Sequence, residues 1–351
     1  MRYLHNCWYM AAWAGELKPG AMLARRLLDQ PVVLVRDSDN QVFGLHDRCP
    51  HRFAPLSRGL VEGGHVVCGY HGVGFDRQGQ CARNPHGPLL KSLVVRSYPV
   101  CEAHRALWIW LGDPALADEA QIPPLDFLGA APDTAFSQGY LSGAGHYQLY
   151  VDNILDLTHA DYLHPTTLGG GSWTRARAEV SEQNNVILVK WNAFNENPTA
   201  VQKQLRPQLD KVDSWTEVEW FAPSVMTLLS GSVPAGTPRE QGGNVKNVHI
   251  MTPESESRTH YFFGSTRDFA LDDAELNKRF GETRAQIFAT EDEPMIAGQY
   301  KRLEGQEFLA AGPVQLNIDA GSARARRRLD QMIADEERLR DGRIGAARES
   351  R

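Results

Sequence analysis

Cys49-Pro50-His51 and, after sixteen intervening residues, Cys68-Gly69-Tyr70-His71 offer two thiolates and two imidazoles from two short stretches of chain. A sequence carrying this pair must fold so that two turns meet around one metal centre. Two Cys and two His would suit a tetrahedral zinc ion. The spacing argues against zinc, because a zinc knuckle begins with ligands two to four residues apart, whereas Pro50 alone separates Cys49 from His51.

An iron–sulfur cluster fits the pattern better. In a Rieske 2Fe-2S cluster two cysteines hold one iron and two histidines the other, and the weaker charge donation of neutral imidazole makes the reduced state easier to reach. The stretch resembles the Rieske domain of ring-hydroxylating oxygenases, with Cys49, His51, Cys68 and His71 on the four motif positions. One departure is Val73-Gly74, where many family members carry an aromatic residue. It touches the packing behind the ligands, not ligation.

A cluster alone would make an electron carrier, so a second constellation decides the class. It reads Asn153-Ile-Leu-Asp156-Leu-Thr-His159, followed by His164-Pro165. At about 100° per residue, Asn153, Asp156 and His159 drift by only about 60° per step and share a helix face. His164 lies about 140° from His159 on an ideal helix, so both imidazoles reach one metal only if the helix bulges or ends before Pro165. Two histidines and a carboxylate on one side of an iron leave open positions for dioxygen. The segment Phe288-Ala-Thr-Glu291-Asp292-Glu293 supplies three candidate acids. Its resemblance to the family's third-ligand helix nominates Asp292, and Glu291 and Glu293 otherwise read as a solvated acidic turn.

The resemblance covers nearly the whole chain. It is carried further by Asn6-Cys-Trp-Tyr9, His164-Pro-Thr-Thr-Leu-Gly169, Thr252-Pro-Glu254 and Leu316-Asn-Ile-Asp-Ala-Gly321. It is closest to the oxygenase components of vanillate O-demethylase and of aryl-sulfonate methyl monooxygenases. It implies a monooxygenase that hydroxylates or O-demethylates a small aromatic acid, a vanillate-like methoxyarene first, with a 2Fe-2S cluster and Fe(2+) as cofactors. It also implies NAD(P)H used through a separate reductase, and a homotrimer whose head-to-tail contacts bring each cluster to the next subunit's iron. In that arrangement Asp156 and Asn153 are the candidate catalytic residues. The Asp156 carboxylate would bridge His159 and a cluster histidine, His71, of a neighbouring subunit. A Rieske electron carrier without the second iron is the reading that His159, His164 and Asp292 oppose.

Length and composition agree with this class. The 351 residues allow two substantial cores, and the motifs divide the chain near its first third. No Gly-rich nucleotide fingerprint and no spare four-cysteine ferredoxin set is present, which fits a separate reductase. A net charge of -6 and the lack of a basic stripe with interleaved aromatics argue against nucleic acid. No run approaches the roughly 18 apolar residues of a membrane span, and the start Met-Arg-Tyr-Leu-His-Asn-Cys lacks a signal-peptide core, so a cytoplasmic protein is expected. Cys7, Cys81 and Cys101 are then expected to be reduced thiols.

The expected fold is α+β. An antiparallel β domain carrying the cluster spans 1–115, with strands expected at Val32–Val35, Val66–Cys68, Leu93–Val95 and Leu107–Leu111. A linker rich in Ala, Asp and Pro covers 116–135. A catalytic domain of antiparallel sheet and covering helices fills 136–351, with strands at Val186–Trp191, Asp213–Phe221 and Thr259–Phe263 and helices around 150–160, 272–304 and 320–340. The basic run Arg324-Ala-Arg326-Arg327-Arg328 reads as a solvated helix face. Gly169-Gly-Gly171-Ser-Trp173 reads either as a flap over the site or as a plain connection. His249, Asn247 and Trp215 are conceivable polar contacts for a substrate.

Overall fold

The computed structural model describes residues 3–205 and 208–349. They form two compact units, Tyr3–Pro124 with Thr252–Ser255, and Leu125–Met251 with the chain from Glu256 onward.

The first unit is built from small antiparallel sheets. Trp8–Trp13 pairs with Ala106–Trp110, which pairs with Val100–Ala103. A second sheet runs Ala21–Leu27, Gln30–Arg36, Val42–His46 and Ser97–Tyr98, and a third Leu60–Glu62, His65–Val67, Gly74–Phe75 and Cys81–Arg83. The Val32–Val35 run is wholly buried, as an uninterrupted apolar strand should be. Its hairpin turns on Leu28 and Asp29, with φ of 49° and 64°. Two positive values in a two-residue loop match the right-handed twist of the strands. A leucine is unfavourable there, and the turn is held from outside: Leu28 N and Asp29 N donate to the carbonyls of Pro253 and Glu254 at 2.9 and 3.1 Å. That anchoring joins the remote Thr252–Ser255 segment to this unit. The core packs Val33, Val35, Leu45, Leu56, Val66 and Phe75 around Cys49 and Cys68.

The second unit is a seven-stranded antiparallel sheet in the order Phe136–Ala144, Arg258–Arg267, Gly243–Ser255, Val225–Pro234, Val212–Phe221, Val186–Glu196 and Glu179–Gln183. Along Val186–Glu196 the buried residues Ile187, Val189, Trp191 and Ala193 alternate with less buried ones, the period-2 pattern of a strand with one face packed. The main helices are Tyr147–Leu155, Ala274–Ile287, Glu293–Arg302 and Ala320–Glu349. This is the α+β arrangement expected from the sequence.

The boundary between units falls at Pro124/Leu125, within the expected linker 116–135, a run of short helical turns with Leu125, Leu128 and Ala135 buried. Two expectations need correction. Leu93–Val95 is not a strand, because only Val94 forms an isolated bridge, to Gln80. The basic run is not simply a solvated face. Arg326 is buried and clasps Asp152 through Nε and Nη2, while Arg324 Nη1 donates to the Val180 carbonyl at 3.0 Å.

Candidate metal centres and active-site cavity

In the first unit, Cys49 and Cys68 open two loops with the same hydrogen-bond pattern. Cys49 O accepts from Phe53 N at 2.8 Å and Cys49 N donates to Ala54 O at 2.9 Å, while Cys68 O accepts from Gly72 N at 2.9 Å and Cys68 N donates to Val73 O at 2.8 Å. Phe53 and Gly72 hold equivalent positions, with φ of 60° and 72°. Glycine takes that conformation freely; phenylalanine does so with its ring under the Arg48 guanidinium, 3.8 Å from the ring centroid. Both thiols are buried, and the His51 and His71 rings lie 4.6 Å apart between centroids. Burial first, then Cys68, pushes the Cys49 thiol up. A bound cation is what turns two such thiols into thiolates. Two facing buried cysteines without a disulfide, with two imidazoles beside each other, fit a Rieske cluster.

In the second unit the chain breaks its helix where the histidine spacing requires it. The Tyr147–Leu155 helix stops, Asp156 turns extended at φ -129° and ψ 102°, and a 3-10 turn at Leu157–His159 runs into the short helix Ala160–Leu163. His164 ends that helix ahead of Pro165. Asp156 therefore leaves the helix face that sequence geometry gave it with Asn153 and His159. Its carboxylate caps the restarted turn, accepting from Thr158 N at 3.0 Å and Thr158 Oγ1 at 2.8 Å. The Asp156 backbone carbonyl, not the carboxylate, accepts from His159 Nδ1 at 2.5 Å.

Asp292 arrives on a π turn, Phe288–Asp292, between the two long helices. One donor atom each from His159, His164 and Asp292 lies within 4.8 Å of the others. The three neighbouring acids separate cleanly. Asp292 Oδ1 faces inward, 3.2 Å from His164 Nε2 and 3.5 Å from His159 Nε2. Glu291 Oε2 accepts from His164 Nδ1 at 2.7 Å, and Glu293 Oε1 accepts from Ala144 N at 3.0 Å. Asn153 Nδ2 donates to Asp292 Oδ1 at 3.1 Å and lies 3.4 Å from His159 Nε2. Since Nδ1 of each histidine donates outward, Nε2 is the ring atom that each turns toward the Asp292 carboxylate. His164 Nε2 is buried with no hydrogen-bond partner. A cation at that point satisfies all three atoms, and two histidines with one carboxylate are the donor set of a mononuclear non-haem iron. Burial raises the Asp292 carboxyl, but His159 and His164 outweigh it and hold it down at about 2. Burial likewise opposes charge on His164, yet Asp292 and Glu291 raise its pKa.

The triad borders a cavity of about 540 Å³. Its wall is mostly apolar, with Leu157, Leu168, Val201, Leu228, Val245 and Phe269 among the lining. Trp173 also lines it, and the Gly169–Trp173 stretch is fastened by Asp161, whose carboxylate accepts from Gly170 N, Gly171 N and Thr174 N at 3.1, 2.7 and 2.7 Å. His249, Asn247 and Trp215 all face this space. Two have committed donors: Trp215 Nε1 to Asn244 Oδ1 at 3.1 Å and Asn247 Nδ2 to Leu228 O at 3.2 Å. His249 Nδ1 meets Tyr261 Oη at 2.7 Å, and burial, then Arg284, lowers its pKa to about 3. Arg284 is a lining residue that sequence reasoning missed, since nothing local sets it apart from the other charged residues of its helix.

A mixed Cys/His loop pair in one unit and a facial two-histidine, one-carboxylate set in the other define the oxygenase component of a Rieske non-haem iron monooxygenase, an enzyme whose cofactors are a 2Fe-2S cluster and iron(II). The chain belongs to the vanillate O-demethylase oxygenase family: residues 7–99 match the Rieske [2Fe-2S] domain and residues 144–335 the vanillate O-demethylase oxygenase C-terminal domain. It is 39% identical over 341 residues to the oxygenase component of dicamba O-demethylase from Stenotrophomonas maltophilia, covering 95% of this chain and 98% of that protein. It is 34% identical to the iron-sulfur subunit of a toluene-4-sulfonate monooxygenase system from Comamonas testosteroni, over 95% and 98% of the two chains. Crystalline dicamba monooxygenase bound to 3,6-dichlorosalicylic acid superposes with a TM-score of 0.90 at 36% identity, covering 96% of this chain and 99% of that one. As an oxygenase component, the chain takes its electrons from a separate reductase.

Proposed function

We propose that this enzyme oxidises the methyl group of a small aromatic acid, with O-demethylation of a vanillate-like methoxyarene as the favoured reaction. The observation that carries the proposal is the roughly 540 Å³, mostly apolar cavity that ends at His159, His164 and Asp292. It is large enough for one substituted benzene ring and offers few polar contacts. Cys49, His51, Cys68 and His71 would hold the cluster, and His159, His164 and Asp292 the iron. The bound metals supply dioxygen activation and its electrons.

The protein's own groups position and shield. Glu291 and the Asp156 carbonyl fix the His164 and His159 rings with Nε2 bare. Asn153 fixes Asp292 Oδ1. Apolar side chains keep water from the reacting methyl group. One oxygen atom of dioxygen enters a methyl C–H bond, and the other leaves as water with two electrons and two protons. The resulting hemiacetal breaks its O–CH2 bond, giving a phenol and formaldehyde.

Methyl hydroxylation of an aryl sulfonate is the second reading, supported by the toluene-4-sulfonate relative. It shares the first step and stops at the alcohol. The assembly we favour is a cyclic homotrimer in which Asp156 links His159 to His71 of the next subunit, with the protein in the cytoplasm. Among the described residues no helix is long and apolar enough to cross a membrane.

Oxygen uptake with a matched reductase, across methoxylated, methylated and sulfonated aromatic acids, tests the reaction. Formaldehyde released in step with oxygen from a methoxylated acid is the expected result. Uptake with an alcohol product from a methylarene sulfonate would establish the second reading instead.

A further inference from the structure

Among the described residues, three buried arginines are held by other groups of the protein. Arg326 clasps Asp152, and Arg36 pairs with Glu102 at 2.7 Å. Arg267 is surrounded by the carbonyls of Thr134, Ala270 and Asp273 and the amide of Asn277. Arg284 is half-buried and held differently. Its Nη1 donates to Ser265 Oγ at 2.8 Å and Ser137 Oγ at 3.3 Å, and among the described residues no carboxylate pairs with it. Burial lowers its pKa to about 10, so it keeps its charge at neutral pH. A guanidinium has five N–H donors, and the two hydroxyls engage Nη1 only, so donors remain for an incoming anion.

The position of Arg284 says where the counterion belongs. It lines the catalytic cavity together with Asp292, whereas Arg279, the other arginine on that wall, is exposed. The two hydroxyls that hold Nη1 also bond each other at 2.9 Å, so the fork is fixed in advance. Along the helix that continues into the π turn, Arg284 precedes Asp292 by about 12 Å of axial rise at about 1.5 Å per residue. His249, which also lines the cavity, is held neutral, so the positive charges on this wall are Arg284 and the exposed Arg279.

We propose that Arg284 selects the substrate by binding the oxyanion of an aryl carboxylate or sulfonate through its Nε and Nη2 donors, so that the oxidised methyl group points away from the acid toward the triad. A planar fork matches a two-oxygen anion in a bidentate pair, which a lysine cannot reproduce. This deepens the aromatic-acid reading given above and rests on it.

The test uses the holoenzyme and three probes: 4-methoxybenzoate, 4-methylbenzenesulfonate and neutral 4-methoxybenzamide. Binding is read from quenching of the cavity tryptophans, Trp173 and Trp215, and the methoxy compounds are also assayed for KM and kcat. Arg284→Gln is expected to weaken the anions about 10- to 100-fold and leave the amide unchanged, the effect falling on KM. Arg284→Lys, which keeps the charge without the fork, is expected to fall between them, and it decides the matter if the Gln variant does not fold. Unchanged anion binding in these variants overturns the role of Arg284 while sparing the aromatic-acid reading, and equal loss of amide and anions shows a structural role and overturns it too. A wild-type enzyme that binds the amide and neither anion overturns both. Arg284-dependent anion binding without oxygen uptake or formaldehyde leaves the anchor standing and removes the proposed reaction.

Discussion

Glu291 accepts a 2.7 Å hydrogen bond from His164 Nδ1 while the adjacent Asp292 faces Nε2 of the same ring at 3.2 Å. Consecutive residues of a regular helix diverge by about 100°, so two neighbours address opposite edges of one imidazole because the π turn at Phe288–Asp292 re-aims them. Glu291 then sets the tautomer of His164 and raises its basicity. Glu291→Gln keeps an acceptor but loses the charge. It should lower retention of the mononuclear iron about 10- to 100-fold, measured as iron left after dialysis against a chelator, with the cluster spectrum unchanged. Asp292→Ala should lose that iron outright. Full iron in Asp292→Ala with loss in Glu293→Ala would make Glu293 the ligand.

The cluster is expected to fail independently of the iron site, because the two donor sets share no residue. Cys68→Ser or His51→Ala should abolish the visible absorption and the reduced-state EPR signal of a Rieske centre. His159→Ala should leave both signals intact and reduce iron content from about three to about two per chain. A Cys68→Ser protein with an unchanged spectrum would remove the premise that this loop pair holds the cluster.

Acid stability should depend on His146. Burial first, with Arg326 adding to it, lowers its pKa from 6.5 to about 3. Between these values the unfolded chain binds a proton that the folded chain refuses, so the unfolded state holds more protons and stability falls as pH drops through that window. At pH 5 the loss is about 2 kcal/mol for this one group. His146→Asn keeps an acceptor for Gln148 N at the start of the Tyr147–Leu155 helix and removes the titration. Its acid-unfolding midpoint should move to lower pH; an unmoved midpoint would show that His146 already titrates normally.

How legible each part was depended on how local its cause is. That the loops of Cys49, His51, Cys68 and His71 meet was legible, because those residue types at such short spacing call for two turns around one point. The break after Leu155 was legible too, since a regular helix cannot bring His159 and His164 together ahead of Pro165. The π turn at Phe288–Asp292 was not, for its residues suit an ordinary helix and only packing widens it. Arg326 looked solvated because its partner Asp152 lies 174 residues away. Leu93–Val95 has strand-like composition, but Val95 buries against the cluster-domain core and only Val94 pairs. Arg284 acquires meaning only once Ser137, Ser265 and the cavity surround it.

Asp156 provides the sharpest separation of assembly from electron transfer. Its Oδ1 caps the turn that restarts the chain before His159, and its backbone carbonyl fixes the His159 ring; neither contact requires a negative charge. Asp156→Asn preserves the cap, because an amide oxygen accepts from Thr158 N as a carboxylate does. Both metal centres should therefore load and the oligomer should form as in wild type. If the carboxylate also joins His159 to His71 of a neighbouring subunit, its loss breaks a charged hydrogen-bonded route between two imidazoles. Single-turnover oxidation of the reduced cluster, with substrate and dioxygen present, should then slow by orders of magnitude. A Thr158→Ala variant, which weakens the cap and spares the charge, should slow it little. Wild-type rates in Asp156→Asn would remove the bridge, and failure of that variant to load iron would assign Asp156 to the turn alone.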